Sequence, residues 1–485
     1  MSVSYANRSS LNLPSPLGWA VCVAGGVGIF ATYWDEAWHT DIGRDSFWTP
    51  AHLLLYGAMA VVGLSIAAWG IRVLMILRSP RRAAAQLPVL AACLGGAAAL
   101  AAAPIDAAWH QAFGRDSVAW SPPHVLVIFA ATSIALGALV GVAPGARALR
   151  AAAGTLLLAN ASTVVFEYET DVPQFSETLY LPILLVAVLV VASLVHRVVP
   201  LRAPVTTTVL AYAALRLMIA SILALLGRST PDLPLAVLGL AAYDLPLRGQ
   251  AQRLAAAGTA TAAAAWGASA LGLASQAPDA VALTAIPAIV VGALILLGTR
   301  RWTRVALPAT LFLVASSTVL AATADRAVAH DPGEGTKVTD LLLSAHSDGR
   351  GRIAMQARLD DDCDHARPLR LLARRAGTTV AAPLSPDGPC NYASTITVTE
   401  PGRWFVYVEL AYDGRRAEAW LPVESGDVET LTETRELYLP VGAEPSQDAG
   451  QIIAGVPIYA IGLTLLGLGI AAVRRSAQEP HPAGG

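Results

Sequence analysis

Long apolar runs of about 20 residues dominate the chain, and this length crosses the hydrocarbon core of a bilayer. The predicted spans are residues 17–38, 51–77, 87–109, 123–144, 151–169, 180–199, 204–227, 231–247, 253–275, 279–299, 304–324 and 452–473. The eighth of these is short and carries Asp244 and Pro246. The pattern predicts a polytopic α-helical membrane protein with about 12 spans.

The pattern changes between the last two predicted spans, over residues 325–451. Apolar and polar residues alternate there, as in the run 404–410, and Gly, Pro and Asp separate the runs. A period of two predicts β-strands, and several short strands with turns between them predict a small β-sandwich. Cys363 and Cys390 lie in this region and are predicted to form a disulfide if it is extracytoplasmic.

Composition agrees with a membrane protein, since 55% of the residues are hydrophobic and 14% are charged. The net charge of −2, with no basic patch interleaved with aromatic residues, predicts no nucleic-acid partner. No cleavable signal peptide is expected, because the first apolar segment, Leu17 to Trp34, continues directly into the motif that begins at Asp35.

Basic residues are concentrated in alternate loops, and this bias predicts the orientation in the membrane. The arginines are Arg78, Arg81 and Arg82; Arg147 and Arg150; Arg197 and Arg202; Arg248 and Arg253; Arg300, Arg301 and Arg304; and Arg474 and Arg475. We therefore expect a multi-pass protein of the cell (plasma or inner) membrane with both termini cytoplasmic. The β domain is then extracytoplasmic.

One motif occurs twice, at the predicted outer ends of the first and third spans. Both copies follow D-x-A-W-H-x3-G-R-D-S-(x1 or 2)-W-[TS]-P-x-H, and they begin 71 residues apart, at Asp35 and Asp106. An Asp and a His four residues apart share one face of a helix. The Gly-Arg-Asp-Ser segment reverses the chain, and the Pro starts a new helix that carries the last His.

Each copy can bring one carboxylate and two imidazoles to one point, which is a metal-ligand set. The predicted ligands are Asp35, His39 and His52 in the first copy, and Asp106, His110 and His124 in the second. The alternative to a metal site is a structural role, in which Asp-His and Arg-Asp pairs hold the interfacial loops in place. Two copies at nearly equal spacing favour a metal, because ionisable groups at membrane depth are costly unless paired or ligated. Copper, non-haem iron and zinc all suit this ligand set, in one shared site or in two.

Three more residues are candidates to support the site. Glu167 and Asp171 repeat the four-residue spacing with carboxylates alone, and Arg216 lies in the middle of the seventh predicted span. A buried arginine needs a buried acid, such as Glu167 or Asp244. His196 precedes Arg197 and is predicted to be interfacial.

The doubled motif resembles the C subunit of the particulate methane and ammonia monooxygenases. That subunit carries an Asp-x3-His-x12-His copper site and a nearby Asn-x3-His-x13-His set. Asp35, His39 and His52 match the first spacing. Asp106, His110 and His124 match the second spacing. Asp106 stands where the family has Asn, and it adds a negative charge. The resemblance covers about the first 200 residues.

The outer domain resembles the N-terminal cupredoxin domain of the same enzymes' B subunit. Residues 401–407 are similar to its P-G-x-W-H-x-H strand, with Phe405 and Tyr407 in the places of the two histidines. His330 resembles the family's N-terminal histidine but lies within the chain. These differences imply that this domain has a structural role.

The resemblance implies a copper-dependent membrane monooxygenase that oxidises a small apolar substrate with O2. It also implies a quinol or other reductant supplied from the bilayer, and a homo-oligomer, a trimer in that family. The implied parts are 1–200, metal-binding helices; 201–324, further spans; 325–451, the β-sandwich; and 452–485, a final span with a cytoplasmic tail. The alternatives are a copper transporter, chaperone or sensor, and a non-catalytic subunit of a larger complex.

Overall fold

Long helices form most of the structure, a computed structural model that describes residues 9–42, 48–113, 120–173, 175–297, 335–359, 363–375, 378–440 and 449–478. The long helices are α1 (Ser15–Asp41), α2 (Pro50–Leu77), α3 (Leu87–Phe113), α4 (Pro122–Gly141), α5 (Arg147–Ser162), α6 (Tyr180–Val198), α7 (Pro204–Leu225), α8 (Gln250–Ala270), α9 (Pro278–Leu297) and α10 (Ala449–Gln478). Short helical turns connect them at Ser9–Leu11, Pro80–Ala84, Thr163–Val165, Phe166–Glu169, Glu177–Leu179, Leu235–Leu238 and Gly239–Asp244. Several helices start at a proline, whose fixed φ and missing N–H suit the first turn.

Nine helical stretches in the described residues are long and apolar enough to cross a membrane. They coincide with nine of the twelve predicted spans, and the predicted span 304–324 lies outside the described residues. The predicted span 231–247 is wrong, because only Leu235–Asp244 is helical there and it is too short. The predicted span 253–275 forms α8, an alanine-rich helix that is not among the nine apolar ones.

The last helix packs against the first part of the chain. A Cβ added at Gly462 would lie 2.7 Å from Phe129 Cδ2, and one at Gly469 would lie 2.6 Å from Leu136 Cδ1. The glycines therefore let α10 approach α4 closely, as small residues do in membrane helix pairs. The Ser133 hydroxyl of α4 lies 3.0 Å from the carbonyl oxygen of Leu465, which fixes this contact.

The β domain is an antiparallel sheet of nine strands in the described residues. They are β1 (Gly335–Asp348), β2 (Arg352–Leu359), β3 (Ala366–Arg375), β4 (Thr378–Pro383), β5 (Ser385–Pro386), β6 (Asn391–Thr397), β7 (Arg403–Tyr412), β8 (Arg415–Glu424) and β9 (Val428–Pro440). The order is β4-β3-β7-β8-β9-β1-β2-β6-β5.

A separate β domain is thus confirmed, but its strands form one nearly closed sheet where two sheets were predicted. The two halves join between β8 and β9, where Glu418 is paired with Tyr438. Both halves turn their apolar faces to one core, as the faces of a sandwich do. This shared core explains why the alternating pattern predicted a sandwich.

The predicted disulfide joins Cys363 to Cys390, with their Cα atoms 5.2 Å apart. It ties the short turn before β3 to the turn before β6. The two cysteines are separated by 27 positions in the sequence, so the bond closes a loop of about that length.

We expect the double substitution Cys363→Ala/Cys390→Ala to lower the free energy of unfolding of the β domain by about 2–4 kcal/mol, because the unfolded chain gains the freedom of the opened loop. Urea unfolding of the full chain, followed by tryptophan fluorescence, measures this loss. Cys22→Ala is the matched control, since Cys22 is a free thiol in α1. An unchanged midpoint in the double variant would contradict the prediction.

Candidate metal centre

The first copy of the motif brings its three predicted ligands together. Asp35 Oδ1 lies 3.1 Å from His52 Nε2 and 3.8 Å from His39 Nε2. One ligand atom from each residue can be chosen so that all three lie within 4.8 Å of one another. Asp35 Oδ1 is itself buried, and it accepts no hydrogen bond of good geometry from the described residues. An oxygen held in this way between two imidazoles is available to a cation.

Two helices position these side chains. Asp35 and His39 lie one turn apart near the end of α1, and His52 lies in the first turn of α2. Pro50 begins α2 and sets the direction in which the first turn runs. The His39 and His52 rings meet edge to face, with centroids 6.5 Å apart. The ends of the two helices therefore position the ligand set.

The second copy brings Asp106 and His124 together in the same way. His124 Nε2 lies 3.4 Å from Asp106 Oδ1. Ser121 caps α4 by accepting a hydrogen bond from the His124 backbone N–H at 3.4 Å. His110 continues α3 one turn beyond Asp106, and its side chain lies outside the described residues, as do residues 43–47 and 114–119 of the two turns.

Sequence reasoning missed one acid at this site. Glu36 follows Asp35 and is 8% exposed, and the second copy has Ala107 in its place. Its carboxyl lies within electrostatic range of His39 in the first copy and of His124 in the second. Glu36 therefore connects the two copies, and a charged residue within an apolar helix was the signal that could have identified it.

The acid paired with Arg216 is Glu169, so the prediction of Glu167 or Asp244 is wrong. Arg216 also donates to the Tyr212 hydroxyl at 3.0 Å. Asp244 lies near the start of α7, where it accepts a hydrogen bond from the Thr206 backbone N–H at 2.8 Å. Thr206 and Arg216 are ten residues apart in α7, so about 15 Å of helix separates Asp244 from Arg216.

The predicted interfacial residue His196 also has a defined partner. Its Nδ1 lies 3.2 Å from Asp244 Oδ1, and Arg253 contacts its Nε2. This cluster lies at the end of α6 remote from the candidate metal centre, because α6 runs from the Glu177 turn to Val198. His196 is thus part of a polar network rather than an isolated surface residue.

Asp171 belongs to a clamp between the β domain and the helices. It lies in the elbow (residues 163–173) after α5, in the left-handed region with φ of 57°. Arg375 of β3 donates to Asp171 Oδ1 at 2.8 Å and to Glu177 Oε1 at 2.8 Å. The Arg403 backbone N–H donates to Asp171 Oδ2 at 3.2 Å. The β domain therefore fixes a strained residue on the elbow.

Burial lowers the pKa of Arg375, but Asp171 and Glu177 raise it by more, so the net pKa lies above its ordinary value. The guanidinium is thus charged at every pH at which the protein is folded. The same end of the molecule holds the candidate metal centre, because Arg403 lies within electrostatic range of Glu36.

We expect Arg375→Leu to release the elbow, at a cost of about 2–3 kcal/mol, since two charge-assisted hydrogen bonds are lost. Hydrogen exchange followed by mass spectrometry should then show faster exchange at residues 166–173 and unchanged exchange in β1 and β2. Arg352→Leu is the control, because Arg352 is an exposed residue of β2. Equal protection of the elbow in both variants would contradict the clamp.

Phe405 and Tyr407, which stand where the resembled family has two histidines, form part of an aromatic contact. They pack in one buried cluster with Val172 of the elbow. Trp420 contacts the Tyr407 ring at 5.7 Å between centroids. This face of the sheet therefore docks the β domain on the elbow. His330 lies outside the described residues.

No protein-family model and no curated protein matches the chain.

Proposed function

We propose that the chain is a membrane-embedded copper protein that oxidises a small apolar substrate with O2. The observation that carries the proposal is the convergence of Asp35, His39 and His52 from two apolar helices. The choice of copper and of oxygen chemistry rests on the resemblance of both motif copies to the monooxygenase C subunit.

The donor set fits a transition metal. Ligand nitrogens and oxygens bind such ions at about 2.0–2.2 Å, so the ligand atoms around one ion lie about 3–4 Å apart. The two distances from Asp35 Oδ1, 3.1 Å and 3.8 Å, are of this size. Two imidazoles and one carboxylate leave further coordination positions for small molecules. Asp106, His110 and His124 would hold a second ion or share the first.

When bound, copper would supply an open coordination position for O2 and the redox change that oxidation requires. The protein residues would hold the site and shape the approach to it. The Tyr56 ring lies 6.0 Å from the His52 ring, and the neighbouring Leu53 is 47% exposed. Apolar side chains at this helix end favour an apolar substrate that is dissolved in the bilayer.

The long apolar helices support a multi-pass membrane protein. We propose that it lies in the plasma or inner membrane, with both termini cytoplasmic and the β domain outside. The arginine-rich loops support this orientation. The clamp at Asp171 supports placement of the β domain on the side of the candidate metal centre. Assembly as a homo-oligomer, and a quinol as reductant, are further parts of the proposal that rest on the resemblance.

Turnover by the purified full chain tests the function. In copper-loaded lipid nanodiscs with a quinol, we expect O2 uptake matched by an oxidised short-chain hydrocarbon. His52→Ala should lower uptake at least about 100-fold, because it removes a ligand. His346→Ala is the control, since His346 lies on the β domain surface and contacts Thr430. Uptake that is equal in both variants would contradict the proposal.

One observation favours a second candidate function, copper transport, delivery or sensing. The side chains of Asp35, His39 and His52 are 18–21% exposed, so a bound ion could exchange with a partner. Copper binding without any turnover, together with transfer of the ion to a chelator within minutes, would favour this function or a non-catalytic subunit over the enzyme.

A further inference from the structure

A small, partly open cavity lies between the elbow and two connecting segments, and none of the three ligands of the first motif copy lines it. Its polar lining consists of Glu169, Tyr180, Asp232 and Gln276, and the rest is alanine and leucine. Glu169 belongs to the elbow, and Tyr180 begins α6. Asp232 and Gln276 come from the segments after α7 and α8, so three connections of the helical domain meet at this point.

Two residues of the lining, Tyr180 and Gln276, have an oxygen that can bind a further ligand. Tyr180 is 5% exposed, and none of the hydrogen bonds among the described residues involves its hydroxyl. It lies within electrostatic range of both the Glu169 and the Asp232 carboxylates. Gln276 uses its Nε2 to donate to the Tyr168 carbonyl at 2.6 Å and to Asp232 Oδ2 at 3.3 Å. These two bonds use its amide nitrogen, and its amide oxygen remains able to accept a further bond.

The charges of the lining residues and of Arg216, which is paired with one of them, sum to one negative charge. Glu169 and Asp232 carry two negative charges, and Arg216 contributes one positive charge through its ion pair with Glu169. Ser275 donates to Asp232 at 2.7 Å from its backbone N–H and at 2.9 Å from its hydroxyl, and neither donor adds a charge. A single negative charge beside two oxygens that can accept suits a singly charged cation, because a buried charge is costly unless it is paired.

We propose that this cavity binds one small monovalent cation. The ligand oxygens come from the four polar residues of the lining, and all of them are hard donors of the kind that sodium and similar ions prefer. Arg216 disfavours a divalent ion, because its positive charge lies next to Glu169. The proposal does not depend on copper or on oxidation.

Binding would connect parts of the fold that are far apart in sequence. The Asp232 backbone N–H already donates to the Glu169 carbonyl at 2.6 Å. Three residues earlier, the Ser229 backbone N–H donates to Asp41 at the end of α1, at 2.7 Å. A cation would thus hold the segment after α7 against the elbow, and this would stabilise the folded state by mass action.

The test is thermal unfolding of the full chain in nanodiscs as a function of sodium chloride, with choline chloride keeping the ionic strength constant. We expect the midpoint to rise with sodium and to saturate. Tyr180→Phe should raise the sodium concentration for half-maximal stabilisation about tenfold, and Asp232→Asn should abolish the rise. Asp41→Asn is the matched control, because Asp41 also accepts from a serine but lies outside the cavity.

The pKa of Asp232 is raised to about 6, mainly by burial and also by the nearby Glu169 and Asp171 carboxylates. The hydrogen bonds from Ser275 lower it in part. The cation needs the ionised carboxylate, so the sodium effect should be complete above this pKa and should disappear as the pH falls through about 6.

Three outcomes would overturn the proposal: a midpoint that does not respond to sodium, an equal response in wild type and Asp232→Asn, or stabilisation by calcium in place of sodium. Metal content and turnover are separate readouts, so the cation site can fail while the proposed function stands.

Discussion

Replacing Arg216 by leucine is expected to lower the free energy of unfolding by about 3–5 kcal/mol, because it leaves a buried acid without its cation. Arg216 is fully buried, and Glu169 is 3% exposed. Tyr33 donates to Glu169 Oε2 at 3.0 Å, and the Arg216 guanidinium lies 4.3 Å from the centroid of the Tyr33 ring. The loss therefore affects a contact between α1, the elbow and α7.

Chemical unfolding in mixed micelles measures this effect. The double variant Arg216→Leu/Glu169→Leu should recover most of the lost stability, because replacing both members of a buried pair with apolar residues is often neutral or stabilising. Arg228→Leu is the control for loss of an arginine, since Arg228 is only partly buried beside Trp38. A double variant that is no more stable than the single one would show that the ion pair is not the source of the effect.

The helical part was predictable because a long apolar helix carries its signal within a single segment. Nine predicted spans coincide with helices, since 20 apolar residues leave the backbone no better way to satisfy its hydrogen bonds in lipid. The alternating pattern predicted the β domain for a similar reason, and the cysteine pair was confirmed. Asp35, His39 and His52 converge because a four-residue spacing and a helix start are both local features.

The rest depends on contacts between distant segments, which no local pattern encodes. The partner of Arg216 is Glu169, 47 residues away, and nothing in the sequence ranks it above Asp244. The span at 231–247 was predicted from its run of apolar residues, although its prolines confine the helix to ten residues. Asp171 was predicted to support the metal site, yet it binds Arg375, 204 residues later.

Replacing His52 by alanine is expected to lower the affinity for copper more than about 100-fold. Loss of a residue that hydrogen-bonds to a ligand lowers metal affinity about 10–100-fold in known sites, and loss of the ligand itself should lower it further. The substitution removes the imidazole nearest to Asp35 Oδ1, at 3.1 Å. The helix should be preserved, because alanine is a strong helix former.

Competitive titration of the full chain against a copper chelator gives this affinity. His346→Ala should bind copper as wild type does, because the described contact of His346 is with Thr430 on the β domain. If His124 belongs to a separate site, then His124→Ala should remove a second binding step and leave the first unchanged. Equal affinities in wild type and His52→Ala would show that the first copy does not bind copper.

The most direct test is the metal content of the full chain purified in native lipid, for wild type and for His39→Ala. The account predicts at least one equivalent of copper per wild-type chain and the loss of one equivalent in the variant. Iron or zinc in place of copper would contradict the proposed oxidation chemistry. Wild-type protein without bound metal, after reloading with copper in lipid, would contradict the metal centre itself and leave the doubled motif as a structural ion-pair cluster.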